Sequence, residues 1–304
     1  MTELERHTVD RGDARLAVVL RRGEPGRVPL LFVHGYPDTH ATWSYQLEGL
    51  AAEHPVAAFV LRGVGDSAIT GEPQAATRMP RYLDDIEAVI DHVAGPQGQV
   101  HLVAHDWGGA LAWMFAADPA RAARLRSLTV IAAPHGGAAL AMFRARLRRH
   151  SLVDLARLAE QVRRSWYLLL FQLPWLPEKY LGLDPVRTWI GAHRQGGVPR
   201  GDPELTGVER AQAHNNLVGL LPLYRQMFAR ETVRAARSGP QKIDVPVSMV
   251  IPLRDLALTP ELYEFLPQFV PRLEEHRIDD NHWVHRSRAT EVNQIIGDFV
   301  TRHE

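Results

Sequence analysis

The stretch that most constrains this chain runs from Val100 to Gly109 and reads Val-His-Leu-Val-Ala-His-Asp-Trp-Gly-Gly. It begins as an apolar strand pattern and continues into the helix-prone segment Ala-Leu-Ala-Trp-Met-Phe-Ala-Ala. Ala104 and Gly108 lie two residues to either side of Asp106, where a sharp strand-to-helix turn accepts only small side chains. The pattern predicts that Asp106 stands at the end of a buried strand, in the position that such turns give to a nucleophile.

Asp at this turn, where Ser is usual, changes the chemistry that is available. A Ser that attacks a saturated carbon leaves an ether, whereas a carboxylate leaves an alkyl ester whose carbonyl carbon water can attack. Asp106 therefore predicts covalent catalysis on carbon–oxygen or carbon–halogen bonds, with hydrolysis as the second half-reaction. The alternative is that Asp106 only caps the following helix, because Asp is a favoured N-cap residue.

Composition excludes several other classes of function. The 304 residues suffice for one large α/β domain or two ordinary ones, and the 35 basic and 35 acidic side chains cancel. Without an overall field we expect neither nucleic acid nor a membrane as partner. The absence of cysteine excludes disulfides and thiolate metal sites. No paired-His motif or phosphate loop stands out, so we expect no metal and no cofactor.

The expected location is the cytoplasm. The first ten residues are charged and contain no apolar core of a secretory signal. No stretch reaches the roughly 18–20 continuous apolar residues that a membrane span needs. The pattern therefore predicts a soluble cytoplasmic protein, and it leaves open whether this is a monomer or a homodimer.

Buried strands alternate with helices over the first 135 residues. Residues 5–22 resemble two short antiparallel strands, and continuous apolar runs predict buried strands at 28–33, 56–61, 100–105 and 128–133. Helical spacing covers residues 80–93. This alternation predicts an α/β fold with a mostly parallel sheet that is covered by helices on both faces.

The alternation stops after residue 135. From 136 to 239 only helical patterns and loops occur, before strand signals return at 245–251 and 273–278 and a last helix at 290–300. We therefore expect a core domain made of residues 1–135 and 240–304, with residues 136–239 inserted as a helical cap. The Arg-rich piece at 144–149, with Arg163 and Arg164 further on, is interpreted as a solvated helix face.

A nucleophile at such a turn needs a base and an orienting acid, in the chain order nucleophile, acid, His. His282 is the candidate base, because its loop follows the last strand at the sheet edge where ligands bind. His285 is a rival in the same segment. Asp255 is the candidate acid because it follows the strand that ends near residue 251, whereas Asp279 and Asp280 are too close along the loop to reach His282 easily.

An ester formed on Asp106 would also need donors for the oxygen that becomes negatively charged. The backbone N–H groups of Trp107, directly after the nucleophile, and of Tyr36, directly after His34-Gly35, are in the expected places. Their side chains matter little for that role. We therefore predict an oxyanion hole formed by these two backbone groups.

Taken together, these residues resemble the epoxide hydrolases and haloalkane dehalogenases of the α/β-hydrolase fold over nearly the whole chain. The resemblance rests on His34-Gly35-Tyr36-Pro37, Arg62-Gly-Val-Gly-Asp-Ser67, His105-Asp106-Trp107-Gly108-Gly109, Asp255 and His282-Trp283. Two cap stretches are similar to the epoxide hydrolases in particular, Ser165–Pro174 and Pro222–Arg225. The sequence departs from the family pattern at Val60, Pro252 and Asn281, and Pro252 bears on the geometry of the Asp255 loop.

The resemblance implies that Tyr167 and Tyr224 bond the epoxide oxygen as it leaves. A phenol donates a proton to an alkoxide far better than water does. The alternative is that either tyrosine is ordinary aromatic core of the cap. The resemblance also implies substrate contacts from four residues, His34, Pro37, Trp107 and Phe171.

The function expected from the sequence is hydrolysis of an epoxide to a vicinal diol, with a small-molecule epoxide and water as partners. The leucines and aromatic residues of the cap predict an apolar or aromatic substituent on the substrate. A haloalkane dehalogenase remains an alternative, with Trp107 and one of Trp166, Trp175 or Trp189 as halide donors. A non-catalytic ligand-binding protein of the same fold is the alternative from another class.

Overall fold

A computed structural model describes residues 3–149, 151–227 and 242–304 of the chain. Nine strands form one sheet in the order β1-β2-β4-β3-β6-β7-β8-β9, and β5 pairs with β2. The pairs from β4 through β9 are parallel, while β1, β2 and β5 pair antiparallel. The strands are β1 (Glu5–Asp10), β2 (Ala14–Arg21), β3 (Leu30–Val33), β4 (Val56–Phe59), β5 (Ala68–Ile69), β6 (Val100–His105), β7 (Leu125–Ile131), β8 (Val247–Pro252) and β9 (Leu273–Ile278).

The central strands are buried on both faces, as their continuous apolar runs predict. Every residue of β3, β4, β6 and β8 is buried. Successive side chains of a strand point to opposite faces. Accordingly Leu31 and Val33 belong to one apolar cluster, while Leu30 and Phe32 belong to the cluster on the other side of the sheet. The edge strand β1 alternates between half-buried and exposed residues instead.

Helices cover both faces of the sheet and fill the interval between β7 and β8. They are α1 (Ser44–Gly49), α2 (Pro73–Ala76), α3 (Met79–Ala94), α4 (Trp107–Ala116), α5 (Pro119–Ala122), α6 (Gly136–Arg149), α7 (Leu152–Arg164), α8 (Trp166–Leu170), α9 (Leu176–Leu181), α10 (Pro185–Gln195), α11 (Arg210–Val218), α12 (Leu221–Met227), α13 (Val284–Ser287) and α14 (Ala289–Arg302). Helix α3 begins one residue before and ends one residue after the predicted helix, and α14 matches the predicted last helix. The predicted α/β architecture is confirmed.

The interval predicted to form a helical cap holds only helices and loops in its described residues, 136–149 and 151–227. The predicted boundary between residues 239 and 240 falls outside the described residues. No described helix combines the length and the apolar character that a bilayer span requires.

The sheet order places a ligand site at one end of two neighbouring strands. Strand β3 pairs with β4 on one side and with β6 on the other, so the chain reverses its direction of travel across the sheet between β3 and β6. In open α/β sheets ligands bind outside the carboxyl ends of the strands at such a reversal. The segments that leave β3 and β6 there are His34-Gly35-Tyr36 and Asp106.

Candidate active site

The turn after β6 holds Asp106 in a strained conformation. Its φ of 49° and ψ of −117° lie where a residue other than glycine rarely occurs. Such a conformation costs about 1–3 kcal/mol and persists only where the surroundings enforce it. A Cβ on Gly108 would lie 2.3 Å from the Val33 carbonyl oxygen, and one on Gly35 would lie 2.5 Å from the Asp106 Cβ. The small neighbours are therefore required because three backbone segments meet around Asp106.

Asp255 and His282 form a hydrogen-bonded pair that faces Asp106. The His282 Nδ1 lies 2.6 Å from the Asp255 Oδ2, and the His282 Nε2 lies 3.7 Å from the Asp106 Oδ2. The other Asp255 oxygen accepts from the backbone N–H groups of Ala257 and Leu258. Asp255 is thus fixed on both oxygens, and Pro252 does not prevent its loop from reaching His282.

The charges around His282 control its protonation. Burial by itself lowers the pKa of His282, but the charge and hydrogen bond of Asp255, together with the charge of Asp106, raise this pKa to about 9. Burial raises the pKa of Asp255 and the bond to His282 more than compensates, so the net pKa is below its usual value. The pair therefore rests as a carboxylate and an imidazolium at neutral pH.

The rival residues of the loop have other partners. His285 is fully buried and its Nε2 lies 2.9 Å from the Thr42 hydroxyl oxygen. Asp279 is paired with Arg254 at 3.0 Å, and Asp280 accepts from the Arg288 side chain at 3.1 Å. Among these candidates the structure brings only His282 and Asp255 together with Asp106.

One of the two predicted oxyanion donors contacts Asp106, and the other is free of helix hydrogen bonds. The backbone N–H of Tyr36 donates to the Asp106 Oδ1 at 2.9 Å. Trp107 is the first residue of α4, so its backbone N–H has no acceptor within the helix. One carboxylate oxygen of Asp106 therefore already sits against a backbone donor, while the other oxygen faces His282.

Tyr167 and Tyr224 reach this turn from α8 and α12. The Tyr224 ring packs edge-on against the rings of Trp107 and Tyr36, with centroid distances of 4.5 and 5.1 Å. The rings of Tyr167 and Tyr224 are 6.3 Å apart. Burial and the charge of Asp106 raise the pKa of both phenols above the usual range. Both tyrosines therefore keep their protons and can donate hydrogen bonds above Asp106.

Of the four residues predicted to contact substrate, Trp107 and Phe171 line this aromatic cluster. The Phe171 ring lies 4.9 Å from the Tyr224 ring and 5.7 Å from the Tyr36 ring. Pro37 is buried, and its carbonyl oxygen accepts from the Trp189 indole N–H at 2.9 Å.

In the structure both ring nitrogens of His34 have backbone partners. Its Nδ1 lies 2.8 Å from the Gly35 carbonyl oxygen, and its Nε2 accepts from the Leu61 backbone N–H at 2.9 Å. Burial lowers the pKa of His34 to about 4, so the ring is neutral. His34 therefore supports the loop that carries Tyr36, and its contact with a substrate stays a prediction.

A second polar network lies behind His282 and was not predicted from the sequence. Asp38 accepts from the Trp283 indole N–H at 2.9 Å and lies 2.8 Å from the His193 Nε2. His105 lies 3.1 Å from the His282 carbonyl oxygen and 3.7 Å from Asp38. His105 was present in a motif quoted above and Asp38 directly follows another, but no spacing rule links them to His193 on α10.

Asp38, His193 and Glu204 are close enough to hold a metal ion, since their ligand atoms lie within 4.8 Å of one another. However, Trp283 donates to both Asp38 oxygens, and the Arg286 Nη1 lies 2.9 Å from a Glu204 oxygen. These donors already occupy the positions that a cation would need. The cluster therefore fits a hydrogen-bonded network of charges better than a metal centre.

Comparison with known proteins agrees with this architecture. The alpha/beta hydrolase fold family matches residues 28–288. This chain belongs to the α/β-hydrolase fold family. It is 30% identical over 286 residues to epoxide hydrolase 3 of Mus musculus, an alignment that covers 90% of this chain and 71% of that protein.

Two further relatives show how far the similarity extends within the α/β-hydrolase family. A probable oxidoreductase EphD of Mycobacterium tuberculosis is 26% identical over 96% of this chain, which spans about half of that protein (49%). A crystal structure of an epoxide hydrolase from Bacillus megaterium with an inhibitor superposes with a TM-score of 0.76 at 22% identity, covering 97% of this chain and all of that one. The last similarity is one of fold.

Proposed function

We propose that this α/β-hydrolase converts an epoxide and water into a vicinal diol through a covalent ester on Asp106. The observation that supports the proposal is that Tyr167 and Tyr224 lie near enough to Asp106 for its charge to raise the pKa of both phenols, with the His282–Asp255 pair facing the same carboxylate. A carboxylate nucleophile opposite two protonated phenols suits a reaction in which an alkoxide develops as a carbon–oxygen bond opens.

In the first half-reaction one Asp106 oxygen attacks a ring carbon of the epoxide. The carbon–oxygen bond to that carbon breaks, and the epoxide oxygen takes a proton from a tyrosine hydroxyl. The backbone N–H of Tyr36 holds the other Asp106 oxygen, so the attacking oxygen is the one that faces His282. The product is an alkyl ester of Asp106 with a free hydroxyl on the neighbouring carbon.

In the second half-reaction His282 takes a proton from water, which attacks the ester carbonyl carbon. His282 must be neutral for this step, and esterification removes the negative charge of Asp106 that helps to raise its pKa. The oxyanion that develops on the carbonyl oxygen lies where the Tyr36 and Trp107 N–H groups can stabilise it. Collapse breaks the bond to the diol oxygen, which takes the water proton that remained on the oxygen added to the ester carbon, and this restores the Asp106 carboxylate. The tyrosinate left by ring opening recovers its proton from the His282 imidazolium.

Three observations favour this reaction over halide release, the alternative from the sequence. Trp189 donates its indole N–H to the Pro37 carbonyl oxygen, so it is not available to a halide. Trp166 and Trp175 are 61% and 67% exposed and belong to the cap surface. The position after His34-Gly35 is Tyr36, whose side chain offers no amide donor.

The alternative of a protein that only binds ligands is also less favoured, because such a protein would need neither the His282–Asp255 pair nor the strained nucleophile.

The test is a single turnover with excess enzyme and styrene oxide in oxygen-18-labelled water. We expect an unlabelled diol in the first turnover and label in the Asp106 peptide, because the new diol oxygen comes from the carboxylate. Asp106→Asn should abolish turnover, and the double variant Tyr167→Phe/Tyr224→Phe should slow ring opening at least about 100-fold. A labelled diol in the first turnover would contradict the ester intermediate.

The same assay measures which epoxides the site prefers. The aromatic cluster of Tyr36, Trp107, Phe171 and Tyr224 supports a substrate with an apolar or aromatic substituent. Styrene oxide should therefore turn over faster than glycidol, and equal rates would count against this preference. Bromoalkanes are tested as alternative substrates. Halide release that does not depend on the tyrosines would identify the protein as a haloalkane dehalogenase instead.

A further inference from the structure

Helix α7 carries a stripe of apolar residues on its exposed side. Leu152, Leu155, Ala159, Val162 and then Trp166 at the start of α8 follow one another at intervals of three or four residues, the spacing of one helix face. The exposed fraction is 85% for Leu152, 58% for Val162 and 61% for Trp166. An amphipathic helix of a globular protein normally turns such a stripe toward the core, so this face lacks its usual cover.

The buried side of α7 holds Leu158 between two polar residues, and the hydrogen bonds of these two residues fix the orientation of the helix. Asp154 on this side accepts from Arg146 at 3.3 Å. The Gln161 amide donates to the Ala257 carbonyl oxygen at 2.8 Å and accepts from the Thr259 backbone N–H at 3.1 Å. Turning the apolar stripe inward would break these bonds.

The exposed apolar residues continue beyond α7 into the following segment. We call them the apolar cap surface; its members are Leu152, Val153, Leu155, Val162, Trp166, Leu169, Leu173 and Trp175, all at least 43% exposed. Scattered exposed apolar residues are normal, but a set that follows one helix face and extends into the next segment is typical of an interaction surface.

The same part of the chain is strongly basic, although the whole chain is neutral. Residues 144–183 contain eight Arg or Lys and three Asp or Glu. The three acidic side chains are each paired with an arginine, Asp154 with Arg146, Glu160 with Arg163 and Arg164, and Glu178 with Arg225. The exposed arginines 144, 148 and 149 on α6 and Arg157 on α7 therefore add positive charge to the two helices at which the apolar cap surface begins.

We propose that the apolar cap surface docks on an anionic lipid bilayer, with α7 lying in the plane of the interface. Basic residues beside an apolar face with exposed tryptophans are the chemistry that recognises such a surface. A second copy of the chain fits less well, because a symmetric contact would bring two basic surfaces together. This departs from the expectation of no membrane partner, which rested on the net charge of the whole chain.

Docking has a consequence for an enzyme of apolar substrates. Most of the apolar cap surface lies on α7 and α8, and α8 also carries Tyr167. Apolar epoxides partition into lipid, so contact with a bilayer would place the cap beside their reservoir. The docking itself is independent of the reaction and would stand if the proposed function failed.

Co-sedimentation of the full chain with vesicles tests the proposal. We expect binding to phosphatidylcholine vesicles that contain about 30% phosphatidylglycerol, weaker binding to pure phosphatidylcholine, and loss of binding at high salt. The variant Leu152→Gln/Leu155→Gln/Val162→Gln should bind at least about tenfold more weakly, because it removes three inserted side chains.

A charge variant tests the basic contribution separately. Each basic residue near an anionic surface strengthens binding about fivefold, so Arg148→Gln/Arg149→Gln/Arg157→Gln should lose on the order of 100-fold. The matched control is Arg15→Gln/Arg78→Gln/Arg126→Gln, which makes the same change in net charge at exposed positions of the core and should bind like the wild type.

Several outcomes would overturn the proposal. The first is absence of wild-type binding to the anionic vesicles, and the second is an equal loss of binding in the control variant. The third is a wild-type dimer in sedimentation velocity that Leu152→Gln/Leu155→Gln/Val162→Gln converts to a monomer, without any vesicle binding. The last result would assign the surface to a second copy. Circular dichroism of each variant verifies that it is folded, and the arginine variant keeps the test valid if the apolar variant does not fold.

Discussion

At the scale of single residues, Asp106 and His282 lie 3.7 Å apart, too far for a strong hydrogen bond and close enough for their charges to interact. Because of this interaction, the protonation of His282 depends on whether Asp106 is charged. While Asp106 is a carboxylate it helps to keep His282 protonated, and once Asp106 is an ester this contribution to the pKa of His282 is gone. In the proposed mechanism, formation of the ester on Asp106 therefore lowers the pKa of His282 before His282 has to act as a base.

We therefore expect His282→Gln to trap the ester. In the proposed mechanism ring opening needs Asp106 and the tyrosines but not His282, so the variant should still react with styrene oxide, while hydrolysis should slow by at least about 100-fold. Intact-protein mass spectrometry should show one added substrate mass per chain. His214→Gln, an exposed position on α11, is the control and should not accumulate the adduct.

In the wild type, the rate of ester hydrolysis should rise with pH until His282 is neutral and then level off. The midpoint should lie below the pKa of about 9 that holds in the free enzyme, since the charge of Asp106 is absent from the ester. Single-turnover fluorescence measured from acid to alkaline pH would give this midpoint. A midpoint above 9 would contradict the proposed coupling.

At the scale of elements, the join between strand β6 and helix α4 at Asp106 lies directly against the end of β3 and its following loop. A Cβ on Gly108 would lie 2.3 Å from the Val33 carbonyl oxygen, which is fixed in the sheet. The glycine is required by this close approach of two backbones.

Gly108→Ala should therefore destabilise the protein. Overpacking of this kind costs about 1–3 kcal/mol, and here the obstacle is backbone that cannot rotate away. Gly136→Ala, at the start of α6, is the matched control because its added Cβ would meet nothing within 4 Å. Urea unfolding should show a lower free energy of unfolding for Gly108→Ala alone, and equal stabilities would contradict the close packing at the turn.

Helix α7 shows what an apolar sequence pattern cannot predict. The spacing in α7 resembles that of helices that bury their apolar stripe, yet the bonds of Asp154 and Gln161 to neighbouring segments hold that stripe outward. Sequence periodicity identifies an apolar face but not what covers it.

At the scale of the whole molecule, a buried charge cluster connects the cap interval to the core. Arg286 on α13 pairs with Asp202, in the loop between α10 and α11, and a Glu204 oxygen lies 2.9 Å from its Nη1. Burial raises the pKa of Glu204 to about 7. The charge of Arg286 offsets this burial only in part, because Arg286 is shared with Asp202 and the charges of Asp38 and Asp202 raise the pKa of Glu204 further.

This raised pKa predicts a pH-dependent stability. Folding favours protonated Glu204, so its contribution is complete below the ordinary carboxyl pKa of about 4.5 and is lost as the pH rises to about 7. Glu204→Gln should remove this part of the pH dependence, leaving the variant more stable than the wild type at pH 8 by up to roughly 3 kcal/mol. Glu53→Gln, at an exposed site, is the control, and urea unfolding across this pH range is the measurement. Parallel pH profiles for Glu204→Gln and wild type would contradict the assignment.

The sequence by itself determined the alternation of strands and helices and the turn at Asp106. These features are local, because each depends on hydrophobic period or on small residues within a few positions of one another. The same local reasoning predicted which loops would share a sheet edge, and so selected His282 and Asp255 as partners.

Only the tertiary structure decided the contacts between distant segments. The sequence around His34 does not indicate which groups its ring contacts. In the structure β3 pairs with β4, and this brings the Leu61 backbone N–H to the His34 ring. Asp38, His193 and Trp283 meet across more than 240 residues of chain, a distance at which no spacing rule operates. Long-range contacts of this kind depend on how whole elements pack, and for that reason they were not predictable from the sequence.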